Sequence, residues 1–211
     1  MRPFIILSIF LFIQRISAQE FTIANETQNI AYPGLFNPLR CTVSKYSADA
    51  VELTTDNGTI TKEGPGSFSF IPAHTGPTYI QVWVKVKSGK LKIGEYPVRV
   101  KSLPDPVAYI GGQRGGTMSV QSLIQMGGIR AVLNPDLGFD APLRVLSYKA
   151  RATAADTCLF RFENDSYAWT NESIELMKTL KSGHAILFHH IYCKMPDGSV
   201  MEANEIFLKI E

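Results

Sequence analysis

The chain has 211 residues, 45% of them hydrophobic, and a formal net charge of +2. This length allows one large or two small domains with a substantial core, and this apolar fraction excludes a disordered chain and a membrane-embedded body. Without Arg2 and Arg15 near the N-terminus, basic and acidic side chains balance at 19 each; this argues against nucleic acid or an anionic membrane as main partner, since both select clustered Lys and Arg.

The N-terminus reads MRPFIILSIFLFIQRISAQE, with a basic residue at Arg2, an apolar run from Phe4 to Ile13 and a small residue at Ala18. A spanning helix needs about 20 apolar residues. Residues 1–18 are therefore predicted to be a secretory signal cleaved before Gln19. The mature chain would then have no membrane insertion and would lie in the periplasm or outside the cell.

From residue 19 to 102 the pattern is β with frequent turns. TYIQVWVKVK puts Ile80, Val82, Val84 and Val86 on one face and Gln81, Trp83, Lys85 and Lys87 on the other, the period of a half-buried strand. LKIGEYPVRVK returns after the short turn SGK, with Pro97 suggesting an edge position. DNG (56–58) and GPG (64–66) bound the short runs AVELTT and SFSFIPA. Such spacing predicts an immunoglobulin-like antiparallel sandwich. Trp83, on the polar face, is an interface anchor, cover for an edge of the sandwich, or a ring stacked on a neighbouring lysine stem.

SLPDPVAYIGG follows. Pro104 and Pro106 fix their own φ and extend the residues before them, and Gly111 and Gly112 permit a sharp turn. Pro104, Asp105, Pro106, Gly111 and Gly112 are therefore read as a stiff interdomain joint. Residues 103–211 form a second β domain with two short helices. Ser119 caps the first helix and Gly127 stops it. The second, in NESIELMKTLKSG, puts Ile174, Met177 and Leu180 three apart on one face and ends at Gly183. MPDGS makes the last hairpin turn. The fold class is thus mainly β, with two tandem antiparallel domains.

Export lets disulfides persist, and three cysteines allow at most one intrachain pair. Cys158 and Cys193 sit in the strand-like runs TCLFRF and FHHIYCK. A bridge between them would close a loop of about 35 residues and contribute about 3–4 kcal/mol; two buried thiols of one core fit the pattern equally well. His189 and His190 face opposite ways in a regular strand, and His189 stands about 13 Å from Cys193 along it, a poor metal-ligand geometry. GGQRGG lacks the spacing of a phosphate loop, no nucleophile elbow is present, and Asp105 and Asp140 are isolated carboxylates. No catalytic residue, cofactor or metal is expected.

YPVRVKSLPDPVAYIGGQRGGTMS, GIRAVL, FDAPLRVLSY and LKSGHAILFHHIYCKMPDGS resemble the C-terminal region of the GldM/PorM family, the periplasmic shaft proteins of Bacteroidota gliding motility and type IX secretion. NPLRCTVSKYSADAVELTTDNGTITKEGPGSFSFIPAHTGPTYIQVWV resembles the immunoglobulin-like domain that precedes it there. The resemblance covers nearly the whole mature chain. Family members are longer and begin with a membrane-spanning motor helix, whereas residues 2–18 hold no acidic residue. The resemblance implies a non-enzymatic module that binds proteins of the secretion or gliding apparatus, with a homodimer as a candidate assembly. The other reading is a secreted β-sandwich adhesin or glycan-binding module.

Overall fold

A computed structural model describes residues 20–25, 29–133, 142–155 and 157–211. The predicted signal, residues 1–18, and Asp140 lie outside them.

The first part of the chain contains β1 (Phe21–Asn25), β2 (Ile30–Ala31), β3 (Asn37–Val43), β4 (Val51–Thr55), β5 (Thr59–Gly64), β6 (Ser67–Ile71), β7 (Gly76–Val86) and β8 (Gly89–Val100). They form two four-stranded sheets, β1-β3-β6-β5 and β2-β8-β7-β4. Strict alternation decides which side chains enter the space between the sheets. On β3, Leu39, Cys41 and Val43 point in; on β7, Ile80, Val82 and Val84 are fully buried. Phe68 and Phe70 of β6 complete this core. Pro97 does not sit on an edge strand, because β8 runs between β7 and β2. Strand β2 reaches only Arg99 and Val100, however, so no ladder bond between β2 and β8 involves the position where proline lacks its donor.

The second part contains β9 (Pro106–Tyr109), β10 (Gly115–Met118), α1 (Val120–Gln125), β11 (Arg130–Leu133), β12 (Pro142–Ala154), β13 (Thr157–Asn164), α2 (Asn171–Lys178), β14 (Ala185–Lys194), β15 (Val200–Glu202) and β16 (Ile206–Ile210). One sheet holds them all, ordered β10-β16-β14-β12-β11-β9, with β13 beside β12 and β15 beside β14. Both helices cover the same face. Leu123 of α1 and Met177 of α2 are fully buried against Ala150, Ala152, Ile186, Phe188 and Leu208 of the sheet. Ser119 caps α1 through its hydroxyl, which accepts from the Ser122 N–H, and Thr170 caps α2 in the same way through Ser173. Gly127, at φ +72°, follows the end of α1.

Two details depart from the sequence pattern. Helix α2 ends at Lys178, ahead of Gly183; that glycine, at φ +89°, turns the chain into β14 and donates its N–H to the Ile210 carbonyl. His190 has φ +49°. A left-handed residue inside a strand makes a bulge and resets the alternation. The two histidine side chains therefore lie together, their rings 4.8 Å apart, instead of on opposite faces. Ile191 and Cys193 then return to the core.

An aromatic cluster centres the second core. The Trp169 ring stacks on Phe188 at 5.4 Å, and Tyr148 meets both rings edge-on. The Tyr148 hydroxyl accepts from the Asn164 amide, which satisfies the one polar atom of that ring. Phe188→Ala is expected to cost about 3–5 kcal/mol and to lower the urea midpoint of this part of the chain alone. A loss below about 1 kcal/mol would show that the cluster is not the centre of the core.

Candidate functional site

The two sheet systems meet at a polar knot and an apolar seam. Asn37 is fully buried at the start of β3. Its Oδ1 accepts from the Tyr32 N–H at 3.1 Å, and its Nδ2 donates to the carbonyls of Tyr32, Leu35 and Phe70 at 3.2, 2.8 and 3.1 Å. This holds the turn Tyr32-Pro33-Gly34-Leu35 against the sandwich. Proline followed by glycine at φ +70° is the pattern of a type II turn. The turn presents Tyr32, which packs with Leu103, Leu133 and Met195; Ile30, Leu35, Leu143 and Met201 close around them. A Cβ on Gly34 would stand 2.4 Å from the Pro196 backbone. The Met195–Ser199 turn of the second part therefore presses directly on the backbone of the first.

The residues read as a joint divide. Leu103 is in the seam and Pro104 is half-buried beside it. Asp105 is exposed, and Pro106 is the first residue of β9, opposite Leu133. Gly111 and Gly112, at φ +59° and +80°, belong elsewhere. They form a tight turn closed by reciprocal backbone bonds of 3.0 Å between Ile110 and Gln113. The glycine pair thus shapes the second domain's own hairpin, and what meets across the joint is the Tyr32–Leu35 turn, which sequence reading missed. The Pro-Gly pair at 33–34 was the available signal.

Trp83 is half-buried. Its indole N–H donates to Thr54 Oγ1 at 3.0 Å, and the Lys92 ammonium lies 5.8 Å from the ring. Beside it Glu52 pairs with both Lys85 and Lys90 at 2.6 Å, and their hydrogen bonds hold its carboxyl below the usual range. The ring is therefore already engaged on its own sheet.

The three cysteines are free thiols. Cys158 lies opposite Thr153 and Cys193 opposite Val145, on the two flanks of β12. Positions so far apart along one strand are separated by about 26 Å, and a disulfide needs Cα atoms within about 7 Å. The bridge between Cys158 and Cys193 is excluded in this fold; β12 intervenes. Burial pushes the Cys41 and Cys193 thiols up to about 11, which keeps them protonated and unreactive.

Sequence reading also passed over the outer face of the second sheet. Lys149, Arg151, Arg161, His189 and His190 line a hollow of about 600 Å³ there, with Glu163 and Glu205. Burial and the neighbouring His190 hold His189 below the usual imidazole range, so its ring is uncharged at neutral pH. His190 Nδ1 is 2.9 Å from Glu202 Oε1.

Two outcomes are expected. Gly34→Ala should broaden the interdomain distance distribution measured by spin labels on the two parts, while replacing both Pro104 and Pro106 by alanine should change it little. The reverse order would locate the restraint in the prolines. In thiol titration of the native chain with Ellman's reagent, Cys158 alone should react, and all three thiols should react in urea; fast native reaction of Cys41 or Cys193 would contradict their burial.

Residues 20–101 match the family model of the GldM third domain, and residues 104–210 that of the GldM C-terminal domain. No curated protein sequence matches at a significant level. Among solved structures, the chain is similar to the D00-D0 domain of intimin, at 10% identity and a TM-score of 0.29, covering 90% of this chain and 99% of that one. It is also similar to SGBP-B of the Bacteroides ovatus mixed-linkage glucan utilization locus, solved with a heptasaccharide, at 14% identity and a TM-score of 0.26; 85% of this chain and 42% of that one are covered. The N-terminal Ig1-2 module of the Drosophila receptor tyrosine phosphatase DLAR aligns at 10% identity and a TM-score of 0.25, over 90% and 98%. Two consecutive domain models of one family account for residues 20–101 and 104–210, and the chain belongs to the GldM family.

Proposed function

We propose that the chain is an exported, non-enzymatic scaffold of a gliding-motility or type IX secretion apparatus, corresponding to the distal end of the family's shaft. The observation that carries this reading is the pairing of the two family domains across a packed joint. A β domain on a flexible tether presents its surface at random angles. Two domains pressed together at Gly34 and Pro196 present theirs at a set angle, which lowers the ordering cost of binding a partner at two places. Among the described residues no helix is long and apolar enough to cross a membrane.

The test is cross-linking of the tagged chain in the organism that encodes it, followed by mass spectrometry. Components of the gliding or secretion apparatus should be enriched, and deletion of the gene should impair gliding or secretion. Enrichment of none of them, with both processes intact, would overturn the reading; selective binding on a glycan array would then favour a carbohydrate-binding module.

A further inference from the structure

The outer face of the second sheet, opposite the helices, sets basic side chains directly against one another. Directly opposed residues on neighbouring strands share a face, with Cβ atoms about 4.5–5.5 Å apart. One such row runs Arg161, Arg151, Leu187, Phe207 and Gly115 across β13, β12, β14, β16 and β10. The next runs Glu163, Lys149 and His189. Nearer the other end, Arg144 lies opposite Lys194. Arg151 with Arg161, and Arg144 with Lys194, are like-charge cross-strand pairs, an arrangement that destabilises a sheet.

Among the described residues the acids around this face, Glu163, Glu202 and Glu205, form no ion pair with the two arginines. Glu163 is held by Lys149 at 2.7 Å and Glu202 by His190 at 2.9 Å. Among the described residues neither Arg151 nor Arg161 has an ion pair. Nor is this a generally basic domain. Residues 103–211 carry ten basic and twelve acidic side chains, yet Arg144, Lys149, Arg151, Arg161, Lys194 and Lys209 are all exposed along these strands. The row then changes character. Phe207 is 51% exposed, and its neighbour Gly115 has no side chain with which to cover it. Two strand spacings, about 10 Å, separate Arg151 from Phe207.

We propose that this face docks an extended acidic segment of a partner protein, whose carboxylates sit on Arg151 and Arg161 and whose aromatic or aliphatic side chain rests on Leu187 and Phe207. The proposal rests on the scaffold reading above and names the chemistry of the partner. A guanidinium pair takes carboxylates in bidentate fashion, and an arriving anion turns the repulsion between the two arginines into attraction for both. The apolar half of the row, half-buried Leu187 and exposed Phe207, favours a peptide over a polyanionic sugar, because a peptide brings apolar side chains at strand spacing together with its charges.

The test uses the full chain and three probes: a glutamate–tyrosine random copolymer, polyglutamate and polygalacturonate. The copolymer should bind most tightly, and added salt should weaken it. The double variant R151Q/R161Q should bind it about tenfold or more weakly, while melting at the same or a higher temperature, because a repulsion has been removed. F207S should erase the copolymer's advantage over polyglutamate. Unchanged affinity in R151Q/R161Q, or a lowered melting temperature, would overturn the proposal; the second result would make the pair a structural element. Polygalacturonate binding as tightly as the copolymer would reassign the face to an anionic polysaccharide. The scaffold reading is judged separately. If R151Q/R161Q is cross-linked to apparatus proteins as well as the unaltered chain is, this face fails and the scaffold stands; if the unaltered chain is cross-linked to none, the scaffold fails whatever the copolymer does.

Discussion

A single buried amide positions much of what matters in this molecule. Asn37 spends its side chain on the backbone of the Tyr32–Leu35 turn and on Phe70 of the neighbouring strand. A buried polar group must find partners or cost about 1–3 kcal/mol for each one missing, so the amide and the turn hold one another in place. Everything at the domain joint stands on that turn. Tyr32 and Leu35 reach into the seam with Leu103, Leu133 and Met195, and Gly34 brings bare backbone against Pro196. A side chain at Gly34 would hold the two parts away from each other, and a loosened turn would leave the seam without its first-domain half.

The two domains solve the burial problem differently. In the first, each four-stranded sheet hides its inner face against the other, as in any aligned sandwich. In the second there is one sheet and only two short helices. They cover one face, where Leu123 and Met177 close over Phe188 and Ile186. Nothing among the described residues covers the other face to the same depth, and an antiparallel sheet tolerates that. Its composition is more selective than solvation requires. Opposed arginines and a half-exposed phenylalanine in one cross-strand row weaken the folded state slightly and are suited to an acidic, partly apolar partner.

The cysteines show how topology overrides sequence arithmetic. Cys158 and Cys193 lie in similar apolar runs of one domain, which made a bridge a reasonable expectation. Strand order separates them: β12 runs between their strands, and they face distant positions along it. Cys41 and Cys193 are instead packed as small apolar side chains, which is a common fate of buried thiols. The histidine pair teaches a related lesson. A period of two predicts opposite faces, and one left-handed residue at His190 cancels the period.

The sequence by itself determined the architecture. Alternation at Ile80, Val82 and Val84, turn residues at 56–58 and 64–66, the Ser119 cap and the inward Met177 are local signals, and local backbone physics is enough to read them. It also carried the family, through the strand end and Pro-Asp-Pro junction. Tertiary structure alone decided the joint and the candidate docking face. The seam joins Tyr32 to Met195 across most of the chain, and the row from Arg161 to Phe207 draws on four strands whose order no local pattern encodes. Strand neighbours are set by how the whole core closes, so side chains that look unremarkable along the chain become a charged and apolar row only once the sheet has assembled.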